Sequence, residues 1–370
     1  MRIFFYAPFK PLGHRNPSGD LAIAKSLYGF LTGRGHRVIP VSPLRARWIY
    51  WKPWRWPAAL LELLRSLARL KRARPDLWLT YHTYYKAPDL LGPLACGWRK
   101  VPYVIFQGIY STKRRKKLIT LPGFYLNRRA LLSARHVFTN KKSDLKNLLR
   151  LLPEQKVSYV APGIFPGRFP FDQTARAQLR GRWKTGKTPV VITAAMFRPG
   201  VKYEGLAWVI RSCGRLMARG LKFQLVILGD GAREASLKRL AERHMKGEVR
   251  FAGRICRQEM YRYYSAGDLF VFPGIRESLG MVFLEAQACG LPVVAFENGG
   301  VPEVVDKGAT GFLTPPFDAS AFDAAIRGLI EDKPLRRRMG AEASRYVRQR
   351  HDLDKNYIAM EKKLAMLAAG

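Results

Sequence analysis

Short apolar runs alternate with longer amphipathic stretches along the whole chain, and this alternation predicts the fold. In the first half the runs Ile3–Ala7, Arg37–Val41, Leu77–Thr80, Val101–Phe106, Val137–Thr139 and Val157–Val160 read as buried strands. Between them Leu21–Gly33, Ala58–Arg74 and Asp144–Leu152 carry helical spacing. The second half repeats the theme with Val190–Ala195, Gln224–Leu228, Val249–Phe251, Leu269–Phe272 and Val293–Ala295. Strands alternating with helices predict an α/β protein whose parallel sheets are covered on both faces, here twice over. The join is expected around Ala161-Pro162-Gly163-Ile164-Phe165-Pro166-Gly167, where two Pro and two Gly break any regular element. This gives two Rossmann-like, doubly wound domains, 1–165 and 166–350, followed by a C-terminal helix within 351–370.

Composition changes the picture in one respect. Hydrophobic residues make up 48% of the 370, which excludes a disordered chain, but the formal net charge is +38. Residues 1–165 carry +25 of it and residues 166–370 carry +13. The first half therefore faces a polyanion such as an anionic membrane surface, a phosphorylated acceptor or a nucleic acid. Cys96, Cys213, Cys256 and Cys289 form no C-x-x-C pair, so neither a zinc site nor a disulfide framework is expected, and a reducing cytoplasm fits. The opening Met1–Pro8 is too short in its apolar part for a signal peptide. No apolar stretch of about 18 residues predicts a membrane-spanning helix.

Ligands of doubly wound sheets sit at the carboxyl ends of the strands, so the loops there carry the candidate chemistry. The strongest signal is Glu277 and Glu285, bracketing Gly280 and an apolar run that closes on Cys289-Gly290-Leu291-Pro292. Gly280–Cys289 reads as a helix with Gly290 as its stop. Eight helical steps separate the carboxylates by roughly 12 Å along the axis. The N–H groups of Leu279–Val282 face what lies between, which suits a phosphate flanked by two hydroxyl clusters. Arg198 and Lys202 follow the strand Val190–Ala195 and can neutralise a diphosphate, although a solvated pair is the plain alternative in so basic a chain. Leu228-Gly229-Asp230-Gly231 is a glycine turn at another strand end. Gly19, in Asn16-Pro17-Ser18-Gly19-Asp20, lets backbone approach an anion, with a simple N-cap at Ser18 or Asp20 as the alternative.

These pieces together resemble the GT-B fold, GT4-family retaining glycosyltransferases of lipopolysaccharide and lipid-glycan type. The resemblance rests on Leu228–Gly231, Phe251–Arg254, Tyr264–Asp268, Glu277-x7-Glu285, Gly299-Gly300-Val301-Pro302-Glu303 and Gly308–Leu313, in order across Val190–Ala343. It is looser in the first half, at Ser18–Asp20, Arg34–Val38 and Val160–Ile164. It implies two domains facing a central cleft, and a nucleotide-diphospho-sugar donor with UDP as the expected nucleotide. It further implies that Glu277 meets the transferred sugar near its reacting carbon and that Glu285 holds the ribose hydroxyls. Leu279, Gly280, Met281 and Val282 would touch sugar and phosphates, Arg254 and Ile255 would lie by the base, and Lys202 would bind phosphate. Arg198 is offset from the arginine of the pattern, whose position falls on Met196 or Phe197. Where the family often has a histidine after the fourth strand, this chain has Gln107, which can orient a sugar hydroxyl but cannot titrate. His82 and His14 are the nearby titratable candidates. Arg198, Lys202 and the helix N–H groups are available to the donor phosphates, so no metal is expected and activity should persist in EDTA.

The first half also carries RARWIYWKPWRW (Arg45–Trp56), an interfacial composition with Trp48, Trp51, Trp54 and Trp56 among cations. It leads into Ala58–Arg74, where Leu60, Leu63, Leu64, Leu67 and Leu70 are expected on one face and Glu62, Arg65, Arg69 and Arg72 on the other. Lys113, Arg114, Arg115, Lys116 and Lys117 form a second basic cluster. The sequence therefore reads as a peripheral glycosyltransferase on the inner face of the plasma membrane, acting on a lipid-linked or lipopolysaccharide-type acceptor. A sugar-nucleotide epimerase of the same fold and a basic nucleic-acid-binding protein are the alternatives. A nucleic-acid partner is not expected, because Glu277 and Glu285 would repel phosphate.

Overall fold

The computed structural model describes residues 1–14, 19–245 and 247–369 and divides into two compact units, Met1–Ala161 with Asp354–Gly370 and Pro162–Leu353. The first contains β1 (Arg2–Tyr6), β2 (Arg37–Pro40), β3 (Leu77–Thr83), β4 (Tyr103–Gly108), β5 (His136–Thr139) and β6 (Val157–Tyr159). They form one parallel sheet in the order β2-β1-β3-β4-β5-β6. The second contains β7 (Val190–Ala194), β8 (Gln224–Leu228), β9 (Val249–Gly253), β10 (Leu269–Val271), β11 (Val293–Phe296) and β12 (Gly311–Thr314). Their order is β12-β11-β10-β7-β8-β9, again all parallel. Strands such as Val190–Ala194 and Leu269–Val271 are buried along their whole length, as a sheet covered on both faces requires. The strand order reverses between β1 and β3 in one unit and between β7 and β10 in the other, and crevices open at such points.

β12 is the strand that apolar patterning missed. It opens on Gly311 because a Cβ there would overlap the carbonyl of Val293 in β11, so its sequence lacks the β-branched run that marks its neighbours. The helix expected at Asp144–Leu152 is observed at Lys142–Leu148.

The crossovers between units fall at 161/162 and 353/354. Pro162–Phe165 lies with the second unit because the N–H of Ile164 donates to the His351 carbonyl at 3.0 Å and that of Leu353 to the Ile164 carbonyl at 2.8 Å. The helix Leu353–Ala369 continues into the first unit. There Tyr357 meets Phe30 and Phe106 edge-on, and Glu361 receives His36 at 2.8 Å and Arg34 at 3.1 Å. In the second unit the helix Gln173–Trp183 is pinned to the sheet through Asp268, which accepts from Arg176 at 2.6 Å, Arg180 at 2.9 Å and the Val190 N–H at 2.8 Å. Burial alone would raise the pKa of Asp268, but the two guanidiniums and the N–H outweigh it and hold the pKa below the ordinary range.

The helix Trp56–Ala73 corrects the expected leucine stripe. Its inward residues are Glu62, Leu63, Ser66, Leu67 and Leu70, whereas Leu60, Leu61 and Leu64 are exposed. Glu62 can be buried because Arg65 donates to it at 2.7 Å, and the small Ser66 lets the helix approach the sheet. The outward leucines continue the exposed Trp54 and Trp56.

Candidate active site

In the second unit the loops after β7 and β10 meet at the point where the strand order reverses. The β7 loop is shaped by its neighbour. Gly229 and Gly231 sit at φ 137° and 141°, and side chains there would overlap Ala195 and press on Phe197. Phe197 in turn donates its N–H to the Asp230 carbonyl at 2.7 Å. The loop ends on Gly200 (φ 83°), which starts the helix Val201–Ala218. Gly205 lets that helix sit directly on Phe272, since a Cβ there would lie 2.9 Å from the ring. Lys202, in its first turn, is thereby brought 5.1 Å from the Phe272 ring centre and into an ion pair with Glu277.

Glu277 stands on a loop whose backbone is fixed from two sides. Its N–H donates to the Gly274 carbonyl at 2.9 Å, and its own carbonyl accepts the Gly300 N–H at 3.0 Å. Side chains at Gly299 and Gly300 would overlap the carbonyls of Glu277 and Ser278, so the double glycine is what allows the two loops to touch. Gly280 follows at φ 65° and caps the helix Met281–Ala288. That helix closes as the Gly290 signal predicted: the N–H of Gly290 donates to Gln287 at 2.9 Å and that of Leu291 to Ala286 at 3.2 Å. Glu285 lies one turn in, its side chain only 13% exposed, and Arg257 donates to it at 3.2 Å. Burial raises its pKa above the ordinary glutamate value despite Arg257 and Tyr264, which lower it.

One expectation fails here. Glu277 precedes the helix, so the 12 Å rise computed for eight helical steps does not apply; only Met281–Glu285 is helical, a rise of roughly 6 Å. Two acceptor carboxylates flank a helix N-terminus whose first N–H groups have no partner within the helix, and Lys202 stands beside the first.

The other expected residues are placed less closely. Arg198 and Arg254 are exposed, Leu279 is buried, and Ile255, Met281 and Val282 are half-buried against the core of the second unit. Arg257 was missed by sequence reasoning, since nothing in Arg254–Arg257 distinguishes one cation from the other. In the first unit Gln107 is next to last in β4, buried and at φ 64°. Gly19 begins the helix Gly19–Gly33 with open space about it. Arg15–Ser18, and with them the proposed cap at Ser18, lie outside the described residues. Trp51, Trp54 and Trp56 are exposed, but Trp48 is half-buried against Tyr50 and Tyr85, held inward by a left-handed backbone (φ 56°). Lys113, Arg115, Lys116 and Lys117 are exposed, whereas Arg114 is half-buried with its guanidinium 4.6 Å from the Tyr85 ring centre. The four cysteines are free. No three His, Cys, Asp or Glu side chains gather as metal ligands among the described residues, and no described helix is long and apolar enough to cross a membrane.

Two doubly wound parallel sheets, one in each unit, are the arrangement of the GT-B fold. Residues 179–346 match the family described as glycosyl transferases group 1. A GDP-mannose-dependent alpha-(1-6)-phosphatidylinositol monomannoside mannosyltransferase of Mycolicibacterium smegmatis is 33% identical over 196 residues, covering 51% of this chain and 50% of its own. Alpha-D-kanosaminyltransferase of Streptomyces kanamyceticus is 29% identical over 212 residues, 56% of this chain and 54% of its own. The chain thus spans about half the length of the curated relatives it matches. Its fold matches Anabaena HepE, crystallised with UDP, at a TM-score of 0.73 and 19% identity over 99% of this chain and 100% of that one. It also matches WaaG, a glycosyltransferase involved in lipopolysaccharide biosynthesis, at 0.68 and 16% over 99% and 100%. Residues 179–346 are thus similar to the group 1 glycosyltransferases, and the whole chain has the GT-B fold.

Proposed function

We propose that the protein transfers a hexose, with retention, from a nucleotide-diphospho-sugar to a lipid-linked or lipopolysaccharide-type acceptor at the inner face of the membrane. The observation that carries the donor half is the Lys202–Glu277 pair and the buried Glu285 set about the N-terminus of Met281–Ala288. On this reading the ribose hydroxyls donate to Glu285, the diphosphate takes the helix N–H groups, Arg198 and Lys202, and Glu277 holds hydroxyls of the departing sugar. The proposed nucleotide is UDP, with GDP as the competitor to be separated. Arg254 and Ile255 are the proposed neighbours of the base, and Gly19 with the first unit serves the acceptor side. In retention of this kind the diphosphate leaves from the face the acceptor attacks and itself takes the acceptor proton, so Glu277 acts by hydrogen bonding and not as a glycosidase acid.

The membrane half rests on a surface assembled from distant segments. Trp51 donates its indole N–H to the Ile119 carbonyl at 2.8 Å, which joins the tryptophan loop to the basic cluster. Trp54 (72% exposed), Leu118 (83%) and Ile119 (61%) are open on these segments, and Lys113, Arg115, Lys116 and Lys117 are exposed next to them in the chain. Apolar tips among cations suit an anionic leaflet. Nucleic-acid binding is the second reading, favoured only by the charge.

The test is calorimetry with UDP, GDP and their hexose conjugates, followed by Glu277→Gln. Nucleotide affinity should be preserved in the variant and turnover cut at least tenfold, since a hydrogen bond to a charged group is worth about 1.5–3 kcal/mol. Binding of neither nucleotide, or full turnover in the variant, would overturn the donor assignment.

A further inference from the structure

A tight turn after β3 gathers four cations, Arg45, Arg47, Lys86 and Arg114, and among the described residues no carboxylate bonds to any of them. β3 ends at Thr83, and Tyr84-Tyr85-Lys86-Ala87 then folds back, the N–H of Ala87 donating to the Tyr84 carbonyl at 2.9 Å. Two further segments are tied to this turn. The Trp48 N–H donates to the Lys86 carbonyl at 2.6 Å and the Tyr50 hydroxyl to the Tyr85 carbonyl at 3.0 Å, which brings in the tryptophan loop. A Cβ at Gly123 would overlap the Tyr85 carbonyl and the Tyr50 ring, so the helix Leu121–Ser133 starts directly against the turn. Residues 112–120 lead into that helix, and the Thr120 hydroxyl donates to the Arg114 carbonyl.

The cations are set on the aromatic rings of the turn. Lys86 Nζ lies 5.6 Å from the Tyr85 ring centre and 5.7 Å from that of Trp48, and the Arg114 guanidinium lies 4.6 Å from Tyr85. Arg45 donates through Nε to the Phe9 carbonyl at 3.2 Å. Burial raises the Tyr84 pKa, and Arg47 and Arg45 act against it from nearby. Arg45, Lys86 and Arg114 are half-buried. The carboxylates of this region are engaged elsewhere: Asp20 with His82, Glu62 with Arg65, and Asp89 with Thr80, Tyr103 and the N–H groups of Leu91 and Gly92. The sequence has no Asp or Glu between Asp20 and Glu62, nor between Asp89 and Asp144.

Half-burial strips water from a cation, and an aromatic face replaces only part of it; a counter-charge replaces the rest. Burial, with Arg47 and Arg55 adding to it, lowers the Arg45 pKa, as crowding of like charges without an anion requires. A solvated patch behaves otherwise, and Lys113, Arg115, Lys116 and Lys117 of the neighbouring run are exposed.

We propose that Arg45, Arg47, Lys86 and Arg114 bind a phosphate ester carried by the acceptor, at a one-to-one site distinct from the solvated cations of Lys113–Lys117. The inference rests on the reading of the first unit as the acceptor side and adds a substrate class, an acceptor with its own phosphate. Guanidiniums meet phosphate oxygens through paired N–H donors, and the lysine adds a point charge. A lipid headgroup and a soluble phosphate ester share this chemistry.

The test is calorimetric titration of the full chain with glycerol 3-phosphate, beside flotation with phosphatidylcholine vesicles made with and without phosphatidic acid. Glycerol 3-phosphate should bind once per chain, and inorganic phosphate should compete where chloride at equal ionic strength does not. Lys86→Gln and Arg114→Gln should each weaken it by about tenfold, and Lys86→Arg should retain it. Lys116→Gln, in the exposed run, and Lys202→Gln, on the donor side, should leave it unchanged. Nucleotide affinity should be the same in Lys86→Gln as in the parent, which reports an intact fold. Flotation with phosphatidic acid that falls in Lys86→Gln assigns the phosphate to a lipid headgroup; binding of glycerol 3-phosphate without such flotation assigns a soluble ester, and both support the site. Absence of saturable binding, unchanged binding in Lys86→Gln and Arg114→Gln, or an equal loss in Lys116→Gln would overturn it. Loss in Lys202→Gln instead would place the phosphate at the donor site and overturn it as well. A chain that binds the ester but no nucleotide would refute the donor reading and leave this site standing.

Discussion

Glu285→Gln should make the ligand-free protein more stable and a poorer nucleotide binder. The carboxylate is nearly enclosed, its one cationic neighbour Arg257 lies on an exposed segment, and burial raises its pKa above the glutamate value of an unfolded chain. Below the unfolded pKa both states are protonated and the group is neutral to stability. As pH rises towards the folded value the unfolded chain ionises first, so stability falls across that window and the full cost persists at neutral pH. Each unit of upward shift corresponds to about 1.4 kcal/mol. For a domain of this size about 1 kcal/mol moves the melting temperature by roughly 2–4 °C. Glutamine keeps one acceptor oxygen and the volume but cannot ionise, and Arg257, being exposed, loses little. The variant should therefore melt higher near neutral pH, the gain vanishing as the buffer is taken down into the ordinary glutamate range. Nucleotide affinity should fall by roughly tenfold with the ionised acceptor lost. Differential scanning calorimetry across pH and titration with UDP and GDP measure the two halves. A variant that melts lower at neutral pH refutes the burial argument; unchanged nucleotide affinity refutes the ribose assignment.

Gly300→Ala places a methyl group on the Ser278 carbonyl, and the backbone that holds Glu277 must move. The loss should be about 1–3 kcal/mol in stability together with turnover that falls further than nucleotide affinity; turnover equal to the parent's would show that the Glu277 loop tolerates displacement. Liposome flotation should separate two membrane forces. Replacing Lys113, Lys116 and Lys117 by Gln should abolish the salt-sensitive part of binding to anionic vesicles, because the Debye length is only about 3 Å at 1 M salt. Replacing Trp54 and Leu118 by Ser should remove the salt-resistant part, and tight binding to duplex DNA with none to vesicles would favour the nucleic-acid reading.

Much of the candidate site was legible because its signals are local. Gly280 and Gly290 mark the two ends of an eight-residue helix through backbone geometry that few residues besides glycine adopt, and the observed caps stand at those positions. Strand cores announce themselves by apolar runs, and β12 escaped notice because Gly311 is dictated by the approach of β11 and not by its own propensity. The leucine stripe of Trp56–Ala73 was misread for the opposite reason. Helical periodicity gives a face but not its direction, and the burial of Glu62 depends on Arg65 and the sheet beneath, which spacing does not encode. Arg257 was hidden among equivalent cations, and only the fold selects it for Glu285.

The two sheets also explain why the strand-end polar residues of the first unit were harder to read than the loops of the second. At the β7/β10 reversal the polar groups come from glycine-marked loops and one short helix, each a contiguous motif. At the β1/β3 reversal they come one by one from separate strands: His82, Gln107 and Asn140 are isolated polar residues at the ends of apolar runs, and a single such residue in a sequence signals nothing beyond the end of a strand. Their common property, a polar atom buried without a partner, exists only after the sheet has aligned them. Left-handed backbone at both His82 and Gln107 indicates that the alignment is held by the surrounding fold against local preference.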